Sequence, residues 1–219
     1  MLLPSPFRSP NKPFVTQEFG SVDNLLWYLN NGINIPYHNG IDVVFGDAWQ
    51  TLGTECICPF ATATVVKLTP KPLDPTSTKG NGVTIQGEYE GNLYQVVFWH
   101  LGEIIVEDGQ EIKKGDVICY VGNSGLCKPE RSILRPPDGA HCHLMVFKYT
   151  KDDRGNWNLT NSDNGVGGAR NPRELFDFSV CEVGEDSGKL HDAWVIKEFV
   201  VGMPGWLLAK YLKYIKLWK

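Results

Sequence analysis

Two short stretches hold the side chains best suited to chemistry in this 219-residue chain. In "AHCHLMVF", residues 140–147, His141 and His143 stand two apart within an apolar run that reads as a strand. Side chains alternate faces along a strand, so the two imidazoles share one face while Cys142 and Leu144 take the other. Paired imidazoles suit a metal or a proton relay and suit a hydrophobic core badly. In "HNGID", His38 precedes Asp42 by four positions. On a straight strand those positions would lie about 13 Å apart, at ~3.3 Å per residue. The Asn39-Gly40 pair permits a tight turn that folds His38 back toward Asp42.

Zinc takes imidazole and carboxylate ligands, and a catalytic zinc uses three protein ligands with a further position open. His38, Asp42 and one of His141 or His143 make such a set, and spacing leaves the choice between those two open. The other histidine of the pair then stands beside the open position as a candidate base. His100, which closes "VVFWH", is placed to join the same pocket. Alone, "HNGID" reads as a turn with a nearby histidine, and "HCH" is what turns it into a candidate site. His191, in "KLHDAW", reads as an ordinary surface or junction histidine. No His-Glu-x-x-His occurs, which excludes a thermolysin-like arrangement.

The elements that must position these residues are strands. "IDVVF", "ECICPFATATVVKL", "GVTIQGEY", "LYQVVFWHL", "DVICYVG" and "HCHLMVFKY" alternate or run apolar between Gly, Asn and Pro turns. Helical periodicity is scarce before residue 180, apart from a short helix expected around "SVDNLLWYL". The chain therefore reads as a mainly antiparallel β domain. Two long polar loops, "LCKPERSILRPPDG" and "TKDDRGNWNLTNSDNGVGG", flank the His-x-His strand, a placement common for functional loops. From about residue 199 the character changes. "PGWLLAKYLKYIKLWK" puts Leu207, Leu208, Tyr211, Tyr214, Ile215 and Trp218 on one helical face and Lys210, Lys213 and Lys216 on the other. A basic amphipathic helix of this kind packs on its own domain, docks on a protein partner or second copy, or, ranked last, lies on a membrane surface.

Composition narrows the classes. A net charge of -4 leaves no electrostatic footprint for nucleic acid. The N-terminal "MLLPSPFRSPNKPF" has no apolar run of signal-peptide length, and no stretch approaches the ~20 apolar residues of a membrane span. Cys56 and Cys58 are poorly spaced to bridge each other, and the six cysteines read mostly as small buried thiols from a reducing compartment.

With these motifs in hand, the chain resembles the lysostaphin-type (LytM-like) zinc endopeptidases, which cut peptide bonds in bacterial cell-wall peptidoglycan. The likeness runs from "VTQEFG" to about "RNPRELF". "YHNGIDVV" matches the family's His-x-Gly-x-Asp motif, "VVFWHLGEIIVEDGQEIKKGDVICYVGNSG" resembles its histidine-leucine strand and Gly-Asn-Ser/Thr-Gly segment, and "AHCHLMVF" matches the closing His-x-His. The resemblance implies one zinc held by His38, Asp42 and His143, with His141 and His100 as the catalytic histidines. It implies an antiparallel core of the lysostaphin-like (duplicated hybrid motif) type over residues 14–180. Residues 1–13 are then an N-terminal extension, and residues 181–219 a linker and helical arm. The stretch from Leu126 to Gly139 is longer than the family's usual loop, and its Lys128, Arg131 and Arg135 are expected to meet stem-peptide carboxylates. Leu144-Met145 replaces the family's usual aromatic-acidic pair. Without a signal peptide, a wall-cutting enzyme is expected to act as a phage virion component or on release at lysis. The rivals are a catalytically silent relative acting as scaffold or activator, a D,D-peptidase, whose first two ligands are spaced more widely, and a sugar-phosphotransferase module, which lacks the Asp42 ligand.

Overall fold

A computed structural model describes residues 1–69, 80–125, 127, 139–179 and 181–182. The chain begins with β1 (Leu3–Pro4), β2 (Phe7–Arg8) and β3 (Phe14–Gln17), followed by α1 (Leu25–Asn30), β4 (Ile41–Val44) and α2 (Ala48–Thr51). Next come β5 (Glu55–Ile57), β6 (Thr62–Thr69), β7 (Asn81–Tyr89) and β8 (Asn92–Ile104). The series closes with β9 (Glu111–Lys113), β10 (Val117–Val121), β11 (Cys142–Lys151), β12 (Trp157–Leu159), β13 (Ala169–Arg170) and β14 (Phe176–Asp177). The mainly β, antiparallel reading holds: twelve of these strands form one sheet, with the path β2-β5-β10-β8-β11-β4-β3 through its middle. The C-terminal amphipathic helix lies outside the described residues, as does His191.

The local causes are legible. The run "ECICPFATATVVKL" splits into β5 and β6 around Pro59, which has no N–H to give a ladder. β7 and β8 meet in a two-residue hairpin between Tyr89 and Asn92, with Glu90 and Gly91 both at positive φ (46° and 72°), as a type I′ turn requires. Residues 1–13, set apart from sequence as an extension, carry β1 and β2. β2 pairs with β5, and Phe7 is fully buried edge-on to Phe45 and Phe98.

Four adjacent strands, β4, β11, β8 and β7, position the candidate site. One face of this quartet is core: Ile41 and Val43, Cys142 and Leu144, Val96 and Phe98, Val83 and Ile85 are all buried. The opposite face carries Asp42, His143, Met145, Val97, Trp99 and Thr84 along a groove. Each fully buried Phe or Leu contributes roughly 1.5–3 kcal/mol of apolar burial. The core face thereby fixes the register that sets the other face. All six cysteines are free, and five of them are buried.

Candidate active site

His143 lies directly opposite Asp42 in the β11–β4 ladder and opposite Trp99 in the β11–β8 ladder. Cross-strand register alone therefore brings the imidazole and the carboxylate together. His38 arrives from the chain before β4. Its N–H donates to the Ser21 carbonyl at 2.8 Å, and its carbonyl accepts from Gly20 N–H at 2.8 Å. Gly40 must be glycine because of close approach: a Cβ there would fall 2.4 Å from the Leu144 carbonyl oxygen and 2.9 Å from the His143 ring.

Three donor atoms converge. His38 Nε2 lies 3.2 Å from Asp42 Oδ1, His143 Nδ1 lies 2.9 Å from the same oxygen, and the two nitrogens are 3.0 Å apart. A tetrahedral zinc with nitrogen ligands at ~2.0–2.1 Å has ligand-to-ligand edges of about 3.3 Å. The triangle is close to one face of that tetrahedron. The tautomers also fit a cation. His38 Nδ1 donates to the Glu18 carbonyl oxygen at 3.1 Å, so the neutral ring presents a bare lone pair at Nε2. That lone pair faces a carboxylate oxygen, an arrangement of two acceptors that a cation between them relieves. Burial pushes the Asp42 carboxyl up, but the charge of His141 and the hydrogen bond and charge of His143 hold it well below the usual carboxylate range. Burial holds the His143 imidazole below its ordinary value despite the hydrogen bond and charge of Asp42. Tyr28 stacks nearly parallel on His38, at 6.3 Å between ring centres and 7°, and its hydroxyl donates to Gln17 Oε1 at 2.9 Å. Burial and the Asp42 charge push that phenol up to about 12.

His100 is aimed by a break in the β7–β8 ladder, while the neighbouring β10–β8 ladder skips Gly102 and stops at Leu101. β7–β8 pairing steps from Gly82↔Trp99 to Asn81↔Leu101, and β10–β8 pairing from Tyr120↔Glu103 to Val121↔Leu101. His100 has a partner in neither and sits at φ 64°, a left-handed conformation that costs a non-glycine residue roughly 1–3 kcal/mol. Bulges of this kind re-aim a side chain beside active sites. The residue is held by Ser124, whose carbonyl oxygen accepts from His100 Nδ1 at 2.8 Å. Ser124 Oγ in turn donates to the Leu101 carbonyl at 2.7 Å and accepts from Asn81 N–H at 2.9 Å. His141 Nδ1 donates to the Gly139 carbonyl at 2.6 Å, and its N–H donates to the Gly122 carbonyl at 3.3 Å. Both histidines thus spend Nδ1 on backbone and keep Nε2 for the pocket. Their ring centres are 4.6 Å apart, and His141 Nε2 is 3.7 Å from Asp42 Oδ1. Burial, with His141 and His143 nearby, drives His100 down to about 3, so it is neutral.

The structure brings His38, Asp42, His100, His141 and His143 together in the lining of one groove of about 1200 Å³, which also includes Trp27, Tyr28, Trp99, Met145 and Phe147. Lys128, Arg131 and Arg135 lie outside the described residues. Sequence reasoning missed the positioning roles of Ser124 and of the Glu18 carbonyl, and missed Cys127. The sulfur of Cys127 and one nitrogen each of His100 and His141 all fall within 4.8 Å of one another. Only the "GNSG" motif signalled Ser124, and nothing in the sequence signalled the other two.

A model of peptidase family M23 matches residues 36–154, more than half of the chain and all five of these residues. The chain belongs to peptidase family M23. A search of curated proteins finds no match. Among solved structures, this M23 chain is similar to the catalytic domain of lysostaphin from Staphylococcus simulans, at 15% identity over 75% of this chain and 90% of that one, TM-score 0.46. It is similar to a zinc-containing peptidase from Vibrio cholerae at 19% identity over 73% of this chain and 39% of that one, TM-score 0.42. It is also similar to a chain of the SpoIIIAH and SpoIIQ complex at 19% identity over 78% and 98%, TM-score 0.47.

Proposed function

We propose that this M23 chain is a zinc-dependent endopeptidase that hydrolyses peptide bonds in bacterial cell-wall peptidoglycan, in the stem peptide or the cross-bridge. The observation that carries this reading is the triangle of His38 Nε2, Asp42 Oδ1 and His143 Nδ1, with edges of 2.9–3.2 Å, beside two histidines whose Nε2 atoms face the pocket. His38, Asp42 and His143 would hold the ion. Bound zinc supplies Lewis acidity, polarising a carbonyl and lowering the pKa of water toward ~7.

The chain's own residues do the proton work. His141, with Nδ1–H fixed on Gly139, presents an unprotonated Nε2 and acts as general base toward the attacking water. As imidazolium it then returns that proton to the leaving amine. His100 enters the cycle as an acceptor, because its Nδ1–H is committed to Ser124. It orients the water, takes that water's second proton as the tetrahedral intermediate collapses to the carboxylate, and passes it to the leaving amine. The groove, walled by Trp27, Tyr28, Trp99 and Phe147, gives an extended peptide apolar surface on which to lie.

Digestion of several purified peptidoglycans by the zinc-loaded chain, with mass spectrometry of the released ends, tests the reading. New amine and carboxyl termini at one peptide bond are expected. Intact peptidoglycan from every wall type, with zinc bound in full, would overturn the hydrolase reading and favour a silent family member.

A further inference from the structure

His100, Cys127 and His141 form a second donor set that hydrolysis uses only in part. We propose that these three residues form a second, inhibitory site for a thiophilic divalent cation such as zinc, adjoining the first. One nitrogen from each ring and the Cys127 sulfur all fall within 4.8 Å of one another, the only such set besides His38, Asp42 and His143 among the described residues. Two imidazoles with a thiolate are a borderline-soft set that suits zinc or cobalt and not calcium or magnesium. Backbone carbonyls already take both Nδ1 protons, so both Nε2 lone pairs are available without a change of tautomer. Cys127 is 8% exposed, and its thiol makes one long contact, 3.5 Å, with the Ser124 carbonyl. On binding, the cation displaces the thiol proton to solvent and a sulfur–metal bond forms. Asp42, a member of the first set, also lies beside the second, its Oδ1 3.7 Å from His141 Nε2, so its charge offsets repulsion between two cations. The inhibitory consequence rests on the hydrolase reading: a cation on His100 and His141 removes the lone pairs assigned to proton transfer. Zinc then activates at low concentration and inhibits at higher concentration.

The test uses the full chain, stripped with chelator and titrated with cobalt(II). Cobalt on nitrogen and oxygen ligands gives visible d–d absorption alone, whereas cobalt on Cys127 adds a sulfur-to-metal charge-transfer band in the near ultraviolet. The band is expected in the wild type and in His38→Ala, and is expected to vanish in Cys127→Ser with the d–d absorption of the first site kept. Excess zinc should inhibit peptidoglycan hydrolysis, and Cys127→Ser should raise the half-inhibitory zinc concentration by at least the ~10-fold that loss of even an outer-shell partner brings. Circular dichroism of each variant verifies folding. Where Cys127→Ser fails to fold, Cys127→Ala takes its place. A wild type saturated with cobalt that shows no sulfur band overturns the proposal, as does a band that survives in Cys127→Ser. A sulfur band in a chain whose His38 set takes up no cobalt would uphold this site and overturn the assignment of the first.

Discussion

Replacing Asp42 with alanine removes the oxygen that both His38 and His143 approach within 3.2 Å, and replacing His38 removes a lone pair already aimed by Glu18. Either change should strip the ion, weakening zinc binding by more than the ~10–100-fold that an outer-shell partner is worth. Competitive titration against a chromogenic chelator measures it, and wild-type affinity in either variant would remove that residue from the ligand set. His141→Ala and His100→Ala should instead keep zinc and lose roughly 10²–10⁴-fold in hydrolysis. Loss of metal from either would make that histidine a ligand. At this scale the residue types were legible in the sequence, because His-x-Gly-x-Asp and His-x-His spacings have few other uses. The order within the histidine pair came only through family resemblance. Cys127 and Ser124 were not legible as neighbours of His100, because they approach it from more than 20 positions away through a turn whose course no periodicity encodes.

Strands and turns carry the next set of consequences. Gly40→Ala places a methyl 2.4 Å from the Leu144 carbonyl and against the His143 ring, so β4 and β11 must separate or the ring must swing. Overpacking of this kind costs typically 1–3 kcal/mol. Here it should also weaken zinc binding, because His143 belongs to the triangle. Thermal melts and zinc titration of the same variant separate the two effects, and unchanged zinc affinity would show that the ring has room to spare. Ser124→Ala tests the bulge. It removes the hydroxyl bridge between Asn81 and Leu101, a loss of about 1–3 kcal/mol that takes the hydroxyl acceptor from the Asn81 N–H while the Leu101 carbonyl keeps the Asn81 side-chain amide at 3.2 Å. kcat should fall while zinc content stays full. Alternation made β4, β7, β8, β10 and β11 legible, since a sheet with one buried face writes its period into the sequence. The two-residue strands near the N-terminus were hidden by four prolines in the first thirteen residues, which erase any period. The bulge at His100 was invisible because Trp99-His100-Leu101 reads as unbroken strand.

For the molecule as a whole, ion binding and folding are linked, because the unfolded chain does not hold His38, Asp42 and His143 in a triangle. Zinc at 100 times its dissociation constant should add ~2.7 kcal/mol of stability. For a chain of this size that corresponds to a Tm about 5–10 °C above the chelated form, at ~2–4 °C per kcal/mol. Calorimetry with and without chelator measures the gap, and equal Tm values would mean that no ion binds the native site. Removing residues 200–219, the arm expected from the sequence, should leave that gap and the hydrolysis of soluble wall fragments intact while changing solubility or assembly state. Collapse of the shortened chain would assign the tail to the catalytic core.

The back-to-back construction of β4, β11, β8 and β7 gives the face that carries Asp42 and His143 a parity. Leu144 and Phe98 occupy one side of the quartet, His143 and Trp99 the other, and a slip by one position in either strand exchanges them. A chain that closes with odd parity buries its imidazoles in oil and shows its leucines to water, so it is inert and sticky at once. No half-active species lies between the two outcomes. Specific activity recovered after refolding is therefore expected to count correctly zipped molecules, and a preparation of low activity should divide by size-exclusion chromatography into an active fraction that elutes with the native protein and a dead aggregate.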